Sequence, residues 1–419
     1  MKVFRVSEST ESRIRIIKSL PNSADAKSLA LAIFSAEHRL LMEMFHPSGS
    51  QEYSEVLSSL GSFMEKEVLP ASPKIDMGET KIAPLRRKLF DQGMCQISFP
   101  EEYGGLGLPF SVYANAVELL GTADASIALS VEIHNAVSEG VNRFASESQK
   151  KKYLPDLLSG KTLASFTLTE PASGSDAGTM ATTAEKKGKE YIIRGSKAFI
   201  TNAGDADLYM VFAKTKNGPS CFMVESPNPG MTFGADLKKL GMKGSRTSEV
   251  FFSDCRVPEE NLVGEEGKGA DYAKEILHGA RIIVAALNVG IAQIAYDKSV
   301  AYAKTRKAFG KSIGEFQLIR EKVADMKTEI NAGRLMYFYA SALKESGHEF
   351  SSEASQAKVF STEMSLRVCD SAIQIQGGYG YTTDELHRHW RDARLLTIGE
   401  GTSEVLRMLI ARRELARSQ

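Results

Sequence analysis

The chain predicts an α+β protein of several domains, helical at both ends with β structure between. Three observations lead there. Up to about residue 165, apolar residues recur at helical spacing between prolines. From about Phe166 to Gly267 they gather in short β runs divided by turn residues. From Gly269 the helical period returns and holds to the end. A length of 419 residues exceeds what one core usually fills, so two or three domains are expected.

Residues 1–50 form an extension without recognisable chemistry. Residues 24–45 have the spacing of a helix, for which packing or oligomer contact fits better than catalysis. Residues 51–165 make an N-terminal α-helical domain. Its amphipathic stretches, 54–69 and 112–120, are separated by Pro70, Pro73, Pro84 and a loop from Pro100 to Pro109, because proline ends helices. Residues 166–268 make a middle β domain. Its strands are expected around Tyr191-Ile192-Ile193 and in 198–201, 208–213 and 221–224, with bends at Lys187-Gly188, Asn217-Gly218 and 227–230. Residues 269–419 make a C-terminal helical domain. Ile282, Ala285, Ala286, Val289 and Ala292 form one apolar stripe, and Val323, Met326, Ile330 and Leu335 approximate another. Gly347 and the stretch from Gly377 to Gly380 divide the domain into successive long helices.

Basic and acidic residues number 52 each, and the resulting zero formal charge argues against nucleic acid or an anionic membrane as partner. Cys95, Cys221, Cys255 and Cys369 include no CxxC pair, so no zinc site, other metal or disulfide framework is indicated. No apolar run reads as long enough to span a bilayer. The N-terminus carries Lys2, Arg5, Arg13, Arg15 and Lys18 but also Glu8 and Glu11. It lacks both the apolar core of a secretory signal and the acid-poor character of a transit peptide. A soluble, cytoplasmic protein is the expectation.

Chemistry gathers in four segments. In Ile398-Gly399-Glu400-Gly401-Thr402-Ser403-Glu404 a carboxylate stands between glycines, ahead of a helix starting at Thr402 or Ser403. Val405, Leu406, Leu409 and Ile410 are spaced to bury one face of that helix. Hydroxyls cap helix starts and glycines admit close backbone approach, so Glu400 is placed as a general base, although locally it also reads as a solvated loop residue. Residues 166–176 combine hydroxyls, small residues and Gly174, so that backbone amides and Ser175 can reach a polar ligand; the alternative is a turn-rich strand start. No Gly-Lys-Ser/Thr ending or GxGxxG motif accompanies them, so neither a phosphate loop nor a Rossmann nicotinamide site is supported. Arg306-Lys307-Ala308-Phe309-Gly310-Lys311, with Gln317 behind it, offers an arginine fork for pyrophosphate, or simply a basic helix end. Gln374-Ile375-Gln376-Gly377-Gly378-Tyr379-Gly380 holds backbone against an adenosine diphosphate, or ends a helix.

Together these segments, with Pro100-Glu101-Glu102-Tyr103-Gly104-Gly105, Thr169-Glu170-Pro171-Ala172-Ser173-Gly174-Ser175-Asp176 and residues 197–202, resemble the acyl-CoA dehydrogenase family. The resemblance covers about residues 51–419. It implies a β-barrel-like middle domain, a C-terminal four-helix bundle, an FAD cofactor and a homotetramer, with a dimer as the alternative. The implied reaction is α,β-dehydrogenation of an acyl-CoA to trans-2-enoyl-CoA, as in fatty acid β-oxidation, with electrons passed to an electron-transfer flavoprotein. The competing reading is a flavin oxidase or monooxygenase of the same fold acting on a non-CoA substrate.

Motif matches imply the roles of individual residues. Phe166, Leu168, Thr169, Gly174 and Ser175 match positions by the isoalloxazine ring, with Phe199, Ile200 and Thr201 on its other side. Arg306, Phe309, Gln317, Gln374, Gly377 and Gly378 match residues that reach the pyrophosphate and adenosine from the adjoining protomer. Thr402 and Glu404 match cofactor contacts at the start of the last helix. Ser175 and Arg281 match positions near the CoA part of the substrate, and Gly401 is grouped with them. Glu400 matches the catalytic base, and its N–H, with a flavin ribityl hydroxyl, matches the donors to the thioester carbonyl. Relatives with the base on the earlier helix carry it beside the matching arginine; Ala280 stands there, so Glu400 is read as having no competitor. Gly399 replaces a common tyrosine, which implies room for a branched, cyclic or longer acyl chain, and Phe199 replaces a common tryptophan.

Overall fold

The computed structural model describes residues 36–382 and 384–416. The charged N-terminus and the first part of the 24–45 segment therefore lie outside the described residues. From Ala36–Phe45 that segment is helical, and it packs inward through Leu41, Met42 and a stack of Phe45 on Phe338 at 5.1 Å. The next helix, Ser50–Phe63, does not run on to Leu69 as α-helix but continues in a wider π turn, Met64–Val68.

Helices Phe110–Ala123 and Ala125–Phe144 meet at Asp124, whose carboxylate accepts from the Ile127 N–H at 2.9 Å and caps the second. Residues 112–120 were expected to be amphipathic, yet every residue from Ser111 to Ala123 is buried. Helices Ser50–Phe63, Ala125–Phe144, Gly269–Thr305 and Gln317–Glu345 all pack around that segment, so no side remains for solvent.

The middle region is one sheet of β1 (Ala164–Thr167), β2 (Thr183–Lys187), β3 (Glu190–Thr201), β4 (Leu208–Thr215), β5 (Gly218–Glu225), β6 (Met231–Phe233), β7 (Thr247–Pro258) and β8 (Leu262–Val263). The order is β6-β7-β3-β2-β4-β5-β8, with β1 parallel to β4. Gly188, at φ 63°, opens the two-residue turn from β2 to β3. The β3–β7 pairing shifts register between Lys197 and Ile200, and this bulge turns Phe199 out of the sheet.

The C-terminal region is built on three long helices, Gly269–Thr305, Gln317–Glu345 and Ser351–Gln376, followed by Gly378–Thr382, Asp384–Leu396 and Ser403–Ala416. The first is long and apolar enough by length and composition to cross a membrane, which corrects the sequence expectation. Yet 89% of its most apolar 18 residues are buried inside the protein, because the helix is the centre of the helical core. Ile283, Val284, Leu287 and Ile291 are buried beside the expected stripe. On the second helix Leu335 is 49% exposed, contrary to expectation, because Arg334 takes the inward position between Ile330 and Tyr337. All four cysteines are buried and free.

Helices Phe110–Ala123 and Gly269–Thr305 cross in backbone contact. A Cβ on Gly121 would stand 2.5 Å from the Leu287 carbonyl oxygen, and one on Gly290 would strike the Glu118 carbonyl. Thr122 Oγ1 donates to the Gly290 carbonyl at 3.3 Å across the same crossing. Gly290→Ala is therefore expected to force the helices apart and cost about 1–3 kcal/mol, read as a lower midpoint of thermal unfolding by circular dichroism.

Candidate active site

Helix Asp384–Leu396 stops short of helix Ser403–Ala416, and Glu400 sits in the loop between them. Thr402 Oγ1 accepts from the Val405 N–H at 3.3 Å and caps the second helix. Glu400 has φ 59°, in the left-handed region that a residue with a Cβ seldom occupies, and Gly401 follows at φ 99°. Two cations hold this turn by its carbonyls. Arg281 Nε donates to the Glu400 oxygen at 3.3 Å, and the buried Lys358 Nζ donates to the Gly401 oxygen at 2.6 Å. The Glu400 N–H itself donates to no carbonyl among the described residues.

The Glu400 carboxyl lies among buried charges. Burial pushes it up to about 7, against the pull of Arg281 and Lys358 and of a hydrogen bond from Glu132. Glu132 lies on helix Ala125–Phe144 with its carboxyl facing Glu400; burial, then the Glu400 charge, push it well above the usual carboxylate range. Two acids so close keep one proton between them, and Glu132 is the one that holds it. Burial also brings Lys358 down to about 8. Since the folded value of Glu400 lies above the unfolded value of about 4.3, its contribution to stability is present at low pH and is lost as pH rises through 7. A base needs the opposite, ionised form. Activity measured as kcat/KM is therefore expected to rise with pH along a limb near 7. In Glu132→Ala, which loses the donor to Glu400, the limb should move up by roughly one pH unit, while Glu132→Gln, which keeps a donor, should hold it in place.

Beside this pair lies a cavity walled by Phe99, Phe110, Tyr113, Asn135, Ala280 and Ile283, with Glu132 also in its wall. A Cβ on Gly399 would meet only the Leu395 carbonyl oxygen, at 3.8 Å, so that position is open.

The residues matched to the cofactor fall into separate groups. The Ala198 N–H donates to the Thr169 oxygen at 2.9 Å, which joins the loop after β1 to the end of β3. Glu170 locks that loop: its carboxylate takes the Ala181 N–H, the Thr182 N–H and the buried Lys197 Nζ, the last at 2.8 Å. Phe166 is half-buried against Phe212, while Gly174 and Ser175 are exposed and Gly174 has open space at its Cβ position. Phe199 has φ 59° and is 69% exposed. Leu168, Thr169 and Thr201 are half-buried, but the Ile200 side chain turns into the core, which leaves only its backbone to meet a ligand.

A second group gathers where Arg306 lies 5.9 Å over the Tyr379 ring, bringing the arginine segment to the glycine turn. Phe309 is 95% exposed, Gln317 begins helix Gln317–Glu345, and Gln374, Gly377 and Gly378 are exposed at the end of helix Ser351–Gln376. Nothing fills the Cβ positions of Gly377, at φ 59°, or Gly378. Glu404 is exposed on the first turn of the last helix. Open glycine backbone, an outward aromatic in a costly conformation and an arginine fork are the surfaces that a flavin dinucleotide requires, so the residues present fit FAD.

One addition and one departure from the sequence reading concern the base. Arg281, matched to the CoA side, also supports the Glu400 carbonyl, with Nη1 left without a partner among the described residues. Glu400 is also not alone among acids, because Glu132 meets it. Glu132 and Lys358 were both missed. Glu132 is a lone acid in an apolar stretch, and that mismatch is the one signal that marked it; Lys358, flanked by Glu353 and Glu363 among serines, carried none.

Comparison with known proteins adds three family-model matches: acyl-CoA dehydrogenase N-terminal domain over residues 30–161, middle domain over 165–255 and C-terminal domain over 267–415. A probable acyl-CoA dehydrogenase of Bacillus subtilis is 44% identical, covering 87% of this chain and 98% of its own. Butyryl-CoA dehydrogenase of Megasphaera elsdenii superposes with a TM-score of 0.84 at 37% identity, over 90% of this chain and 98% of that one. A chain from a structure of the electron transferring flavoprotein of Acidaminococcus fermentans gives 0.84 at 38%, over 91% and 98%. An acyl-CoA dehydrogenase of Bacillus anthracis complexed with FAD gives 0.83 at 33%, over 89% and 68%.

Proposed function

The chain belongs to the acyl-CoA dehydrogenase family, and from that premise we propose that it oxidises short acyl-CoA thioesters to trans-2-enoyl-CoA with Glu400 as the base. It is an oxidoreductase and a flavoprotein, and its cofactor is FAD. One observation carries the assignment of the base: the Glu400 carboxyl is held in a left-handed turn with Oε2 shut from solvent and is pushed up to about 7.

The α-carbon of a thioester is a weak acid, and a carboxyl near neutrality is matched to removing its proton at working pH. As charge moves onto the thioester oxygen, the free Glu400 N–H is the donor available to it. Arg281 and Lys358 fix that N–H and the carboxyl by holding the adjoining carbonyls. An acyl chain entering the cavity excludes water and strengthens each of these interactions. FAD, when bound, supplies the acceptor for the β-hydride.

In this reading Phe166, Leu168, Thr169, Gly174, Ser175, Phe199, Thr201 and the Ile200 backbone hold the ring, and Thr402 and Glu404 meet the cofactor beside the base. Arg306, Phe309, Gln317, Gln374, Gly377 and Gly378 hold the dinucleotide of a neighbouring copy. The outward Phe309 supports such an assembly, proposed here as a cytoplasmic homotetramer. Ser175, Arg281 and Gly401 face the substrate. Short chains are favoured by the bulk of Phe99, Phe110 and Tyr113 on the cavity wall, and because butyryl-CoA dehydrogenase is among the relatives. The likeness to the Acidaminococcus chain supports an electron-transfer flavoprotein as acceptor.

Anaerobic titration of the holoenzyme with acyl-CoAs of graded length tests the reading. Short thioesters should bleach the flavin absorbance. If none does, the dehydrogenase assignment fails, and rapid reoxidation by air would mark an oxidase instead.

A further inference from the structure

We propose that the acyl cavity is built for a hydroxylated chain: it takes acyl-CoA thioesters bearing a hydroxyl on the γ- or δ-carbon in preference to plain alkyl ones. The proposal rests on the dehydrogenation reading only for where the thioester lies.

The cavity has aromatic and aliphatic walls, but one side is polar. Tyr113, Glu132 and Asn135 line it, and they are only 3%, 2% and 4% exposed. The Tyr113 hydroxyl and both amide atoms of Asn135 have no hydrogen-bond partner at bonding distance among the described residues, although the two side chains face each other, while Glu132 is turned to Glu400. Buried polar side chains are overwhelmingly hydrogen-bonded in native proteins, so two such residues side by side on one cavity wall describe a recognition surface awaiting its ligand. A plain hydrocarbon chain would bury both of them unmatched.

The charges around the cavity narrow the ligand. Glu139, also on the wall, is paired with Lys344 at 2.8 Å. The Glu400 charge faces Arg281 and Lys358, and Glu132 holds a proton against it. Among the described residues no uncompensated charge is left around the cavity to hold an ammonium, and a carboxylate would meet two further acids. The free atoms instead offer donors and acceptors together. The Asn135 amide has both, as does the Tyr113 hydroxyl. A neutral group that donates and accepts in the same way is a hydroxyl.

Position follows from the helix. Glu132, Asn135, Ala136 and Glu139 share one face of Ala125–Phe144 at i, i+3, i+4 and i+7. Glu132 marks the end at the base, and Asn135 stands about 4.5 Å further along the axis. The β-carbon must lose a hydride to give an enoyl product, so the hydroxyl belongs beyond it, on the γ- or δ-carbon.

The test compares kcat/KM of the holoenzyme for pairs matched in chain atoms: 4-hydroxybutyryl-CoA with pentanoyl-CoA, and 5-hydroxypentanoyl-CoA with hexanoyl-CoA. The hydroxylated member of at least one pair should be favoured by about tenfold or more, because a site that hydrogen-bonds a substrate hydroxyl discriminates against the analogue lacking it. Asn135→Leu and Tyr113→Phe should bring that ratio towards one. The proposal is overturned if the alkyl member equals or beats its partner in both pairs, if the ratio survives both substitutions, or if 5-aminopentanoyl-CoA or glutaryl-CoA is preferred. Thermal protection of the holoenzyme by the same pairs reads the preference without turnover. Absent turnover with hydroxyl-selective protection would sink the dehydrogenase reading alone, and equal protection would sink this one.

Discussion

Glu400→Gln should keep the yellow FAD spectrum and lose its bleaching by thioesters, with kcat falling by about 10²–10⁴-fold, the usual contribution of a positioned base. Glutamine preserves the shape of the side chain and the backbone N–H that faces the carbonyl site, so substrate should still bind and still protect the protein from heat. Loss of turnover with binding retained separates a base from a residue that merely shapes the loop. If Glu400→Gln turned over at the wild-type rate, proton abstraction would have to be sought elsewhere, and Glu132 is the carboxyl within reach.

The largest expected effect on stability is at Arg334. Glu118, fully buried on helix Phe110–Ala123, takes Arg334 Nη2 at 2.6 Å and Nε at 2.9 Å, the Tyr337 hydroxyl at 2.5 Å and His38 Nε2 at 3.2 Å. Arg334→Met removes the main counter-charge and leaves a carboxylate in the core, which costs about 3–5 kcal/mol. The unfolding transition followed by calorimetry should fall by several degrees, and an unchanged transition would show that the cluster is not what binds these helices. Burial opposes ionisation of Glu118, but Arg334 and His38 overcome it and hold the carboxyl far below the usual range. Its contribution is therefore complete above the unfolded value of about 4.3 and fades as pH falls below it. Because the same helix carries Phe110 and Tyr113 into the acyl cavity, the substitution should weaken substrate binding as well.

Much of this was legible in the chain. The change from helical to strand texture near residue 165 and back near 269 is carried by local periodicity, which survives folding because each face is chosen by what it packs against. Glu400 was legible because glycines and hydroxyls around a carboxylate mark a turn ahead of a helix. The Glu132–Glu400 meeting was not legible, since it joins residues far apart in sequence and depends on how helix Ala125–Phe144 passes behind the loop. Lys358 was hidden in the same way within helix Ser351–Gln376. The burial of residues 112–120 on all sides also escaped, because their own pattern cannot tell how many neighbours will surround them. Leu335 was misplaced because an inward arginine was not foreseen, and that arginine has meaning only beside Glu118.

The left-handed turn at Glu400 has an evolutionary consequence. A glutamate there carries backbone strain of order 1–3 kcal/mol that glycine would not, and it brings a carboxyl that the interior resists ionising. Residue 400 is thus a position where fitness and fold disagree: drift towards glycine or asparagine would make a sturdier protein with nothing to remove a proton. Only continued demand for the reaction keeps glutamate there, and a descendant released from that demand would be expected to lose this residue early while keeping the surrounding architecture.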